Sequence, residues 1–137
     1  MAVVDGGYKP VELPPGILTV LANAPAATYG LGFVSTHAIV AGAGGAPDDA
    51  AIIAAAPQKM KLAASTFACQ AVIPAATVEV RVAAGGAALS AAHDGALAES
   101  HTLLGTINKV SAGAAVNLHR SDNGVGGQLV CYWLPVA

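Results

Sequence analysis

Along residues 77–136, apolar and polar positions follow one another in short runs that turns interrupt. Val78, Val80 and Val82 fall on one side of the first run and Thr77, Glu79 and Arg81 on the other. That period of two is the mark of a strand with one face to water. Gly85 and Gly86 turn the chain. Residues 87–93 read as a weak strand closed by the turn pair Asp94-Gly95. Residues 102–110 and 114–120 supply two more strands, the second with Val116 and Leu118 facing one way and Asn117 and His119 the other. A glycine-rich loop over residues 121–127 leads into residues 128–136, which are apolar at nearly every position. A continuous run of this kind predicts a strand covered on both faces. The chain's own core is one cover, and a second copy of the chain is the expected other.

The earlier residues show the same pattern less sharply. Residues 28–41 predict a strand or a strand pair, with Tyr29, Leu31 and Phe33 alternating with glycines before a β-branched stretch. Residues 42–47 form a flexible loop that lacks the Gly-Lys-Ser/Thr of a phosphate-binding loop. Asp48 and Asp49 either cap a short helix ahead of Pro57 or begin a strand centred on Ile52 and Ile53. Residues 58–73 predict a strand with Met60, Leu62, Phe67, Cys69 and Ala71 facing inward, closed by Pro74. Short strands with turns every ~8–12 residues predict an all-β fold, a single antiparallel β-sandwich over residues 28–137.

Residues 1–27 predict an extended arm, since Pro10, Pro14, Pro15 and Pro25 disfavour helix. Its apolar anchors are Tyr8, Val11, Leu13, Ile17, Val20 and Leu21, too sticky a set for a solvated linker. The arm either adds to a partner surface through backbone hydrogen bonds or serves as a first strand of its own domain.

Composition sharpens this picture. Only 10% of the 137 residues are charged, against roughly 25% in ordinary soluble domains. Apolar residues reach 55% with 4% aromatic, so the excess is mostly alanine. A surface so poor in charge suits a homo-oligomer, a dimer or trimer, better than a lone monomer. The net charge of −2 and the scattered lysines and arginines argue against nucleic-acid binding. No apolar run reaches the ~20 residues that span a bilayer. The acidic, proline-rich start does not read as a signal peptide, so a cytoplasmic origin and no membrane partner are expected.

Candidate chemistry is sparse. His37, His93, His101 and His119 lack the spacing of a metal site and are expected on water-facing strand positions. Cys69 and Cys131 lie in apolar strands and are expected as reduced, buried thiols. Asp48-Asp49 suits a helix cap better than catalysis. Ser100, His101 and Asp94 come without a Gly-x-Ser-x-Gly elbow. Neither a cofactor nor an enzymatic activity is expected.

The order of parts in the last third resembles the jelly-roll of tumour-necrosis-factor and complement-globular-head domains. The corresponding parts are the alternating strand 77–82, the glycine turn at 85–86, the loop 94–100, the segment 110–116, the loop 122–127 and the aromatic-bearing strand 129–134. Family members often carry Gly-Asp before the valine of the fourth part, where this chain has Gly113-Ala114-Ala115. An Ala/Gly-rich, low-charge jelly-roll with a sticky arm also resembles the decoration or cement proteins of tailed-bacteriophage capsids. That resemblance implies a structural virion protein on the capsid exterior, assembled in the host cytoplasm, that clamps neighbouring capsomers. It implies contact with the major capsid protein through Tyr8, Val11, Leu13, Ile17, Val20 and Leu21. It implies pairing of copies through Leu129, Val130, Tyr132, Trp133 and Leu134, with Tyr132 and Trp133 as anchors. The alternative is the receptor- or glycan-binding head of a fibre or adhesin, which would use loops 94–100 and 121–127; neither contains an aromatic residue.

Overall fold

The alternating runs become strands, and the glycine and proline clusters between them become turns, in a computed structural model that describes residues 3–5, 9–12 and 31–136, with side chains from residue 33 onward. The strands are β1 (Val3–Asp5), β2 (Lys9–Glu12), β3 (Leu31–Ile39), β4 (Asp48–Ile53), β5 (Met60–Ala71) and β6 (Thr77–Val82). They continue with β7 (His93–Asp94), β8 (Ser100–Leu104), β9 (Lys109–Val110), β10 (Val116–Arg120) and β11 (Gly126–Pro135). No helix occurs among the described residues.

Two antiparallel sheets face each other. The large sheet runs β3-β11-β5-β8, with β1 and β2 along the free side of β3 and β9 beside β5. The small sheet runs β4-β10-β6-β7. Of the consecutive strands from β3 to β11, only β6 and β7 are hydrogen-bonded to each other. The other connections either cross between the sheets or skip a neighbour. The result is the double Greek key of a jelly-roll β-sandwich.

Residues 48–53 are strand, which resolves the helix-or-strand choice at Asp48-Asp49. Ile52 and Ile53 at its end are both buried, and this burial outweighs the capping signal of the two aspartates. The run 102–110 divides: β8 ends at Leu104, a loop intervenes, and β9 resumes at Lys109. A Cβ on Gly105 would collide with the Leu62 carbonyl, so only glycine permits this crossing. Residues 87–93 pair more weakly than expected, through single bridges at Ala88 and Ser90 and the two residues of β7. Four alanines and a serine there offer little side-chain area to pack.

The core lies between the sheets. Val78 and Val80 of β6 and Val116 and Leu118 of β10 face Leu62, Phe67, Leu129, Cys131 and Trp133 of the large sheet, all of them buried. Burying each large side chain contributes roughly 1.5–3 kcal/mol. Both cysteines are free thiols within this core.

Candidate functional site

The two outer faces of the sandwich differ in charge. On the small sheet, Glu79, Arg81, His119 and Asp49 occupy neighbouring outward positions. The Arg81 guanidinium donates to Glu79, and His119 Nδ1 lies 3.1 Å from Asp49 Oδ2. That face is built for water. The large sheet presents Val34, Thr36 and Ala38 of β3, then Gln128, Val130, Tyr132 and Leu134 of β11. Beyond them come Ala64, Thr66 and Ala68 of β5 and Ser100, Thr102 and Leu104 of β8. The charges on these rows are confined to one end, where Lys61 of β5 lies between Leu134 of β11 and Lys109 of β9. Thr66 and Thr102 share a cross-strand hydrogen bond of 2.7 Å, so even their hydroxyls are occupied. Ala64 is fully buried on this side, with Tyr132 and Leu134 packed over it.

The five residues expected to pair copies divide between the faces of β11. Leu129 and Trp133 are wholly buried in the chain's own core. Val130, Tyr132 and Leu134 point outward and are half-buried. Of the expected arm residues, only Val11 is described, as backbone opposite Gly32 in the pairing of β2 with β3. Tyr8, Leu13, Ile17, Val20 and Leu21 lie outside the described residues. Both described stretches of the arm, β1 and β2, add to the edge of their own large sheet.

A polar seam crosses the inner face of the large sheet, at positions where pattern alone predicts hydrocarbon. Ser35, Cys131 and Ser65 stand side by side on β3, β11 and β5. The Trp133 indole donates to Ser35 Oγ at 2.9 Å, and His37 Nε2 reaches the same hydroxyl at 2.9 Å. Burial pushes the Cys131 thiol up to about 12, while its hydrogen bond to Ser35 opposes that shift. A thiol held so firmly protonated is a poor nucleophile.

Two of the four histidines correct the expectation of water-facing positions. His37 and His93 are fully buried, whereas His101 and His119 are half-buried. His93 Nε2 lies 2.8 Å from Ser65 Oγ. Among the described residues, no group of three or more histidines, cysteines or acids could hold a metal ion. Ser100, His101 and Asp94 do not assemble, since His101 instead meets Glu99 at 3.1 Å and Asp94 accepts from the Ala96 amide at 2.7 Å.

One end of the sandwich is closed by two glycine loops. The Asp122 carboxylate accepts from the amides of Gly45 and Gly124, and Gly42 donates to the Asn123 carbonyl at 2.8 Å. Gly44 and Gly45 have φ near +87° and +90°, values that favour glycine. Beneath them Arg120, 1% exposed, donates to Asp48 Oδ2 at 2.7 Å and to the carbonyls of Val40 and Val125. The hydrogen bond from Arg120 holds the Asp48 carboxyl below its usual range. Strand alternation places Arg120 on the same inward row as Val116 and Leu118, so the signal for its burial was in the sequence. No protein family, curated protein or solved structure matches this chain.

Proposed function

We propose that this chain is a structural protein that works as a homo-oligomer, with the outer face of the large sheet as the contact between copies. The observation that carries this reading is the contrast between the two outer faces: one laced with charge, the other without an acid or a base across four strands except Lys61 at its end. A soluble domain avoids wide uncharged faces unless something covers them. The expected setting is the exterior of a bacteriophage capsid, where the chain acts as a cement or decoration protein. Many equivalent weak contacts there add up through multivalency. Contact with the major capsid protein falls to the N-terminal arm.

The first test is the solution mass by sedimentation equilibrium. A dimer or trimer is expected, and Val130→Asp, which puts a charge at the centre of the uncharged face, should reduce it to monomer with the far-ultraviolet spectrum unchanged. A wild-type monomer at every accessible concentration would refute the contact. The second test is the copy number in purified particles. Stoichiometry comparable to the major capsid protein supports the cement role, and absence from particles removes it while leaving the oligomer intact.

A further inference from the structure

We propose that His93 and His101 form an acid-operated latch between the two sheets, closed when His93 is neutral and driven open when it is protonated. His93 belongs to β7, at the edge of the small sheet, yet its polar contact is across the sandwich. Nε2 meets Ser65 Oγ on β5 at 2.8 Å, and the ring lies 6.3 Å from that of His101 on β8, near parallel at 20°. The Phe67 ring, 6.0 Å away, closes another side. The one histidine of β7 therefore ties the small sheet's weakest strand to two strands of the large one.

Protonation is badly accommodated there. A neutral imidazole needs a partner for one N–H, whereas an imidazolium carries two donors. The Nδ1 of His93 is buried and has no hydrogen-bond partner among the described residues, so the added proton would sit on an orphaned donor. The ionisable groups around the ring give no relief. From β8 comes His101, which repels when charged and whose Nε2 is turned to Glu99. From β5 comes the Cys69 thiol, which burial, with some help from Asp94, keeps protonated. On β7 itself Asp94 is exposed and bonded to the Ala96 amide. Val78, opposite His93 on β6, has nothing to ionise.

Burial, and secondarily the charge of His101, push the His93 ring down to about 4 from its ordinary 6.5. The latch contributes fully above the ordinary value, because open and closed forms are then both neutral. Between the two values only the open form takes up the proton, so opening gains about tenfold per pH unit as pH falls. β7 has only two residues of ladder to resist this, at Thr77–Asp94 and Val78–His93, which makes it the natural site of local opening.

Hydrogen exchange followed by mass spectrometry between about pH 7 and about pH 4.5, corrected for intrinsic exchange, reads the latch directly. Residues 89–104 should lose protection by about a hundredfold over this range while β10 and β11 hold theirs. His93→Gln keeps a polar partner for Ser65 but cannot charge, and its profile should be flat. His101→Gln removes the repelling charge that lowers His93 in the closed form, and should reduce the total loss of protection while leaving its onset in place. If His93→Gln does not fold, histidine proton resonances of the wild type decide: His93 should stay neutral well below the midpoint of ordinary histidine. Overturning results are a His93 that titrates normally with protection unchanged, or variants whose loss of protection matches the wild type at every pH.

Discussion

Ala75 occupies a position that suits glycine better. The Ala76 amide closes a turn onto the Ile73 carbonyl at 3.2 Å, with Pro74 and then Ala75 between them. Proline fixes the first central residue, and φ of 60° at Ala75 makes this a type II turn. Ala75→Gly should therefore raise stability by about 0.5–1 kcal/mol in a urea titration, the left-handed strain relieved exceeding the entropy glycine adds to the unfolded chain. At Arg120 the balance runs the other way. Asp48→Ala leaves a guanidinium that is 1% exposed without its counter-charge, at an expected cost of about 3 kcal/mol. Because Arg120 lowers the Asp48 carboxyl below its ordinary 3.8, this ion pair contributes above that value and is lost only as pH falls through the lowered one. Its loss therefore falls below the range in which His93 titrates, and Asp48→Asn should leave the higher-pH transition in place. Trp133→Phe removes both ring volume and the donor to Ser35, and should cost about 2 kcal/mol.

Two neighbours on β11 separate the roles of that strand. Leu129→Asp buries a carboxylate in the core and should abolish folding, whereas Val130→Asp should fold and fail to associate; circular dichroism and solution mass distinguish them. The continuous apolar run of β11 predicts a strand covered twice, and the strand places three fully buried residues on one side and half-buried apolar ones on the other. Most strands were legible because valines and isoleucines recur at a period of two, as in β6. The expected strand over residues 87–93 reduced to bridges because alanine repeats carry almost no facial contrast. The polar seam was hidden for a different reason. Ser35, His37 and Ser65 occupy inward positions by register, but nothing local distinguishes a serine satisfied by a distant indole from one facing water. His93 was missed on the same ground, since its partners come from 28 positions back at Ser65 and from the opposite sheet.

At the scale of the molecule, strand order dominates. With β6–β7 the only sequential pair of neighbours from β3 onward, nearly every ladder closes a long loop before it gains a contact. Folding in the range of milliseconds to seconds is expected by stopped-flow tryptophan fluorescence, with Trp133 as reporter. The uncharged face of the large sheet and the histidine latch lie on the same strands, β5 and β8, so a change of pH and a change of assembly state are positioned to influence each other. The place of β11 carries one more consequence. It is the last of the described strands in chain order, and it sits in the middle of the large sheet, between β3 and β5. A ribosome that has translated the chain as far as Arg120 has made every strand but this one, and the two flanking strands still lack the partner that joins them. The domain therefore completes its folding only after its last strand leaves the exit tunnel, so a prematurely terminated chain is denied the finished sandwich and left to proteolysis.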